Sequence, residues 1–356
     1  MNILFAFYIP SGGVETLNRL RSNALQKLGH TCHCLYLNGG SGLQNCHDTQ
    51  VFVTSNDIEI KQILDRGSYD VIVVTSAYRF LAKFRIMGFR GKLIYEVQGL
   101  GSFAQARATL TEANHNILTY TDALLNPNTP HIKQLFSEYS PQVPQFNFNN
   151  CMDMEAFYYR PGLPPSSPVA AWVGRIEDNK NWSEFLYICD ELIRLYVPKL
   201  RIWMFEDPLL SESAERAKFE QLKKQLNLTD RILNLKNIPH DKMPDYFSLI
   251  GDSGGFLCST SKVEGAPYSV LEAMSCRCPV LTTDSDGVRS SILHNQTGKY
   301  YTAGHIREAV DQIVELMDNL DLRSAICLQA EQHVRTHFSP ESYCDNFLSM
   351  VRSLSS

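Results

Sequence analysis

Short apolar runs alternate with amphipathic stretches along almost the whole chain. In the first half the runs are NILFAF, TCHCLYL, DVIVVTS, KLIYEVQG and DALLNP. After the first of them, Val14, Leu17, Leu20, Ala24, Leu25 and Leu28 recur at helical spacing, and Gly29 is a suitable stop. Strands that alternate with helices pair in parallel, so residues 1–160 are expected to form a Rossmann-like, doubly wound α/β domain. RPGLPPSSP, Arg160 to Pro168, then breaks the pattern, because four prolines with glycine and serine continue neither element. The alternation restarts with VAAWVGR, a helix from about Asn181, LRIWMF, a helix from about Ser213, RILNL, GGFLCS and CPVLTT, with further helices after Asp286. Residues 161–338 therefore read as a second doubly wound domain. Residues 339–356 follow as a final helix with Ser339 as N-cap, Pro340 in the first turn and Phe347, Leu348, Met350 and Val351 apolar. Two such domains are expected to face each other across a cleft at the carboxyl ends of their sheets, where ligands bind.

Composition agrees with this plan. A chain of 356 residues exceeds what one core usually organises, and 44% hydrophobic with 20% charged residues excludes a mainly disordered chain. The N-terminal apolar run is too short for a signal h-region or a membrane span, so the protein is expected in the cytoplasm. The ten cysteines show neither CxxC pairs nor zinc spacing, and read as buried thiols. Net charge is −5, unevenly spread. Tyr78 to Lys92, YRFLAKFRIMGFRGK, holds five basic residues, four aromatics and no acid. It reads either as a solvated helix face and loop or as a patch for anionic headgroups or a charged acceptor, which would place the protein peripherally at the inner membrane face.

The candidate chemistry centres on VEGAPYSVLEAM, which carries Glu264 and Glu272 on either side of a turn. Glu264 is expected in the loop that ends a strand, and Glu272 in the first turns of the following helix. Backbone N–H groups of Ala266 to Ser269 would then form an anion seat at a positive helix end. Carboxylates accept from hydroxyls, so a ribose diol at Glu272 and a sugar hydroxyl at Glu264 fit. The bland alternative is a solvated loop glutamate and a dipole-stabilised helix glutamate. VGRIEDNKN adds Arg175 and Lys180 on another strand-end loop, either as ordinary surface cations or as a pair able to neutralise a departing diphosphate. In the first half, IPSGGVET puts Gly12 and Gly13 between strand and helix, where backbone can approach a phosphate or sugar closely, with Glu15 in the first turn. Many such turns are only turns.

With these motifs in view the chain resembles the retaining glycosyltransferases of family 4, which have the two-domain GT-B architecture. SGGVE, ALQKLGHTCHCLYL, GRIEDNKN, LKNIPHDKMPDYFS, EGAPYSVLEAMSCRCPVLTTD and SDGVRSSILHNQTGKYY carry the resemblance, which runs over most of the chain. It implies that Arg175 and Lys180 hold the donor's diphosphate, that Glu272 accepts from the ribose, and that Glu264 binds the transferred sugar beside the reacting carbon. Gly265, Ala266, Pro267, Tyr268 and Ser269 would complete the sugar and phosphate contacts, Asn237 and Ile238 would flank the nucleobase, and Gly12 and Gly13 would close over the donor. The catalytic set it implies is Glu264, Arg175 and Lys180. The last helix would cross back to the first domain.

The chain departs from the family pattern at three places. Gln98 stands where a histidine is common, and it cannot titrate. Asp286 and Ser290 replace a glycine and a glutamate after the last motif, and MFEDP replaces a Gly-x-Gly.

The resemblance implies a cytoplasmic hexosyltransferase. It would use a nucleotide diphosphate sugar, with UDP favoured, and a hydroxyl acceptor in polysaccharide, lipid-linked oligosaccharide or glycoconjugate biosynthesis. Retaining members are thought to react on the donor's front face, with the leaving phosphate taking the acceptor proton. No cofactor is expected beyond this co-substrate. The two cations make a metal unnecessary for the diphosphate, though magnesium has room to assist, and nucleic acid is not an expected partner. A non-catalytic sugar-nucleotide-binding protein, or an epimerase or phosphorylase on the same scaffold, is the alternative. A nicotinamide enzyme is disfavoured because no GxGxxG follows the first strand.

Overall fold

A computed structural model describes residues 1–285 and 287–354. It divides into two units, the first gathering Met1–Asp153 with the segment from His337, the second spanning Met154–Thr336.

The first unit runs β1 (Asn2–Phe7), α1 (Gly12–Lys27), β2 (Thr31–Tyr36), β3 (Gln50–Val53), α2 (Asp57–Gly67), β4 (Val71–Thr75), α3 (Arg79–Ile86), β5 (Lys92–Glu96), α4 (Phe103–Tyr120), β6 (Ala123–Asn126), α5 (Pro130–Tyr139) and β7 (Gln145–Asn147). Its strands order as β3-β2-β1-β4-β5-β6-β7 with parallel ladders. Helices cover both faces of such a sheet, so all five residues of β4 are buried and its sequence shows no alternation. Leu4, Ile72, Val74, Tyr95 and Leu124 pack there against Leu81, Phe84, Leu110 and Leu135 of the helices.

The second unit runs β8 (Val169–Val173), α6 (Trp182–Leu195), β9 (Arg201–Glu206), α7 (Ser213–Gln225), β10 (Ile232–Lys236), α8 (Met243–Asp252), β11 (Phe256–Ser259), α9 (Tyr268–Ser275), β12 (Val280–Thr283), β13 (Lys299–Tyr301), α10 (Ile306–Asp318) and α11 (Leu320–His337). The order is β10-β9-β8-β11-β12-β13, again parallel. The proline-rich segment Arg160–Pro168 lies in this unit, where Arg160 N donates to Ser248 Oγ at 2.9 Å and its guanidinium pairs with Asp245 at 3.1 Å.

Both halves are therefore doubly wound parallel sheets, as the apolar pattern predicts. The pattern misses β3, β7 and β13. All three are sheet edges of three or four residues, too short to show a period.

The last helix, α12 (Pro340–Ser353), begins at Ser339, whose hydroxyl accepts from Ser342 N at 3.1 Å. Phe347, Met350 and Val351 are buried and Leu348 half-buried. In the first unit Tyr343 of α12 meets a sealed polar cluster. Arg21 forms a fork with Glu96 at 2.8 and 3.0 Å, donates to Asn18 at 2.6 Å and Tyr343 at 3.2 Å, and lies 4.0 Å over the Phe5 ring. Burial opposes the guanidinium charge, but Glu96 and Tyr343 outweigh it and raise its pKa.

The basic stretch from Tyr78 is largely spent within the first unit. Arg79 pairs with Glu112 at 2.9 Å, Lys83 with Asp57, Arg85 with Asp122 at 2.7 Å, and Lys92 donates to the Leu354 carbonyl. Its four aromatics pack on the core. Among the described residues no helix is long and apolar enough to cross a membrane. All ten cysteines are free, and Cys46 and Cys327 are half-buried where a buried thiol is expected. Burial still pushes the Cys46 thiol up to about 12.

Candidate active site

In the second sheet the chain turns from β8 to β9 on one side and reaches β11 on the other, so the topological switch point lies between β8 and β11. In open α/β sheets ligands bind outside the carboxyl ends of the strands at such a point. These are the two loops that carry Arg175 with Lys180 and Glu264 with the approach to α9.

The loops are tied together residue by residue. Lys262 N donates to Asn179 O at 2.8 Å, while the Asn179 amide gives a hydrogen to Val263 O at 3.1 Å and takes one from Val263 N at 3.3 Å. Thr260 Oγ1, which accepts from Trp172 Nε1 at 3.2 Å, lies 3.0 Å from both the Lys180 and Asn181 carbonyls. Asn181 takes a left-handed backbone, φ +48°, that turns the chain into α6. This lacing brings Lys180 Nζ within 2.8 Å of Glu264 Oε2, both side chains remaining partly exposed. Arg175 stands apart, half-exposed, with Glu177 at 3.1 Å.

A third loop, after β12, supports the second from below. Gly287 N donates to Glu264 O at 2.9 Å, and a Cβ at Gly287 would meet the Gly265 and Glu264 carbonyl oxygens at 2.1 and 2.2 Å. Only glycine allows this approach. Ser290 donates to its own turn at Gly287 O, 2.8 Å away, and Asp286 lies outside the described residues.

The start of α9 corrects one expectation. Pro267 has no N–H, and Tyr268 N donates to Ala266 O at 3.0 Å, so the open backbone donors narrow from four residues to Ala266 and Ser269. Among the described residues no side chain caps this positive helix end. Gly265, Pro267 and Tyr268 are buried, and Ala266 and Ser269 half-buried.

Glu272 sits on α9 with its side chain 6% exposed, and its Oε1 lies 2.8 Å from His240 Nε2. His240 opens the turn between β10 and α8, and the buried Phe157 ring stands 4.7 Å from its imidazole. Sequence reasoning misses His240. Thirty-two residues separate the partners, and the only signal is a histidine just beyond Asn237 and Ile238. Those two are half-buried past the end of β10, with Asn237 at φ +47° and its N–H on Glu206 O at 3.0 Å. MFEDP here forms a closed corner, Glu206 being held by Arg216 and Asp207 accepting from Leu209 N at 3.0 Å.

The first unit holds the remaining predicted residues. Gly12, at φ +65°, and Gly13 begin α1 exposed to solvent, with nothing within 4 Å of a Cβ added at Gly12. Glu15 is turned inward to Arg19 at 3.0 Å. Gln98 exchanges two amide hydrogen bonds with Asn150, at 2.7 and 3.2 Å.

A family model described as glycosyl transferases group 1 matches residues 155–333, just over half of the chain. The chain belongs to the group 1 glycosyl transferases. The matched span contains Arg175, Lys180, His240, Glu264 and Glu272. N-acetyl-alpha-D-glucosaminyl L-malate synthase of Bacillus anthracis is 22% identical over 238 residues, 67% of this chain and 58% of that protein, less than two thirds of its length. Glycosyltransferase 1 domain-containing protein 1 of Xenopus tropicalis is 23% identical over 99% of this chain and 98% of its own. The crystal structure of Anabaena HepE in complex with UDP and glucose superposes with a TM-score of 0.83 at 18% identity over all of both chains. This group 1 glycosyl transferase thus has the GT-B fold of two Rossmann-like domains.

Proposed function

We propose that the protein is a retaining hexosyltransferase that moves a sugar from a nucleotide diphosphate donor, UDP favoured, to a hydroxyl acceptor in glycan or glycoconjugate biosynthesis. The observation that carries this reading is the laced pair of switch-point loops, which sets Lys180 against Glu264 beside the start of α9. A sugar nucleotide already holds a good leaving group, so the protein has to place the acceptor hydroxyl and stabilise charge on the departing diphosphate. Lys180, Arg175 and the N–H groups of Ala266 and Ser269 supply that positive field, and the leaving phosphate takes the acceptor proton. Glu264 accepts from the transferred sugar and Glu272 from the ribose, with Asn237 and Ile238 beside the base. Because Glu272 has a nucleotide to hold, the two glutamates do not act as a hydrolase's acid and base. The reaction proceeds without a required metal in this reading. HepE, of the same fold, was crystallised with UDP and glucose, which supports a UDP-linked donor.

The test is the thermal midpoint of the protein with UDP, GDP and ADP, repeated with Glu272→Ala, since a ligand of the folded state raises the midpoint. A shift with one nucleotide, lost in the variant, is expected. No shift with any of the three would remove the donor assignment. The alternative, a sugar-nucleotide-binding protein without turnover, is favoured by the Gln98 amide, whose polar atoms are engaged by Asn150. Sugar transfer or donor cleavage in product analysis with EDTA present would exclude it and the metal requirement together.

A further inference from the structure

We infer that His240 is a positioning residue for the nucleotide, acting through Glu272, an inference that rests on assigning Glu272 to the donor's ribose. A carboxylate only accepts hydrogen bonds, so the 2.8 Å contact requires the hydrogen on His240 Nε2. The ring cannot swing freely, because Phe157 stands at its side with the ring planes tilted by 49°. His240 thus aims its Nε2–H at Glu272 Oε1.

Glu272 needs such a partner. The last torsion of a glutamate side chain is broad, so the chain alone does not fix where its oxygens point. Here Oε1 is taken by His240, and Oε2 has no hydrogen-bond partner among the described residues. A carboxylate anchored at one oxygen and open at the other is a directional acceptor, suited to a hydroxyl presented from one side. The energetic logic is that of a metal ligand oriented by its outer partner: the ordering is completed on folding, so the ligand does not have to supply it. The anchor also brings the loop after β10, which holds Asn237 and Ile238, into register with the helix that holds Glu272.

A purely architectural tie between loop and helix makes different predictions, and affinity measurements separate the two. Calorimetric titration with UDP, GDP and ADP is carried out on the full chain, on Glu272→Ala, His240→Ala and His240→Gln, and on the variant with both alanines. For the nucleotide that the wild type binds, His240→Ala is expected to lose about tenfold in affinity, the size of one hydrogen bond to a charged group. His240→Gln places an amide N–H near the former Nε2 and should recover to within about threefold of the wild type. The double variant should bind no worse than Glu272→Ala alone, because His240 has nothing left to orient. His240→Gln also guards against a folding defect, since its unliganded thermal midpoint can be matched to the wild type.

Wild-type affinity in His240→Ala, beside a loss in Glu272→Ala, would overturn this inference and leave the ribose assignment standing. Losses that simply add in the double variant would overturn it as well, by giving His240 a contact of its own. Undiminished affinity in Glu272→Ala, or a wild type that binds none of the three nucleotides, would remove the ribose assignment and this inference with it.

Discussion

Two glutamates at the carboxyl ends of parallel strands, each held by a cation, meet opposite fates in this molecule. Glu96 closes β5 in the first unit and is fully enclosed. Arg21 forks onto both of its oxygens, and Thr75 adds a hydrogen bond at 2.6 Å. Glu264 follows β11 in the second unit and meets Lys180 at a single oxygen, with both side chains partly in solvent. The first carboxylate has its acceptors used up inside the protein, so it serves architecture. The second keeps capacity for a ligand hydroxyl. Saturation of the acceptor, more than the presence of an ion pair, separates the enclosed glutamate from the one that can still take a ligand hydroxyl.

The widest gap should appear in stability. Glu96→Ala strands the buried Arg21 charge and is expected to cost about 3 to 5 kcal/mol in urea unfolding, whereas Lys180→Ala should cost about 1 kcal/mol or less. Equal losses in the two variants would erase the distinction drawn above. Next in size is turnover. Glu264→Ala should lower kcat by about a hundredfold while changing donor affinity far less, because the proposed role puts its contact at the reacting sugar. A loss confined to KM would return Glu264 to simple binding. Gly287→Ala tests the loop beneath it: the added Cβ must push the Glu264 and Gly265 carbonyls away, and a displacement of that order should reduce kcat by roughly tenfold or more with the nucleotide still bound. Unchanged kinetics would mean that the backbone of this loop does not set the position of Glu264. The smallest effect belongs to Tyr343→Phe. It removes one acceptor from Arg21 while keeping the ring against Phe148, and should cost about 1 kcal/mol in the same urea experiment with unaltered nucleotide affinity.

Much of the fold was legible along the chain because parallel strands covered on both faces write themselves as short apolar runs. β4, with VIVVT wholly buried, is the clearest case. β3, β7 and β13 escaped because an edge strand is half-covered and needs only three or four residues. The site divides in the same manner. Lys180, Glu264 and Glu272 could be picked out by local context, each standing just beyond a strand or in the first turns of a helix. Their mutual arrangement could not. Lys180 and Glu264 lie 84 residues apart, and the Asn179 and Thr260 hydrogen bonds that unite them follow from β8 and β11 being neighbours in the sheet. The anion seat shows the reverse error, since counting N–H groups before a helix overlooked the bond that Tyr268 makes within its own turn.

The sequence by itself determined the class of fold and the residue types available at each strand end, because these depend on periodicity and on local turn chemistry. Only the tertiary structure decided which carboxylates are saturated and which remain open. It buried Glu96 under Arg21, left Glu264 partly in solvent beside Lys180, and set His240 against Glu272 across 32 residues of chain. Hydrogen-bond capacity is consumed by neighbours in space, and no local pattern records which distant residue will consume it.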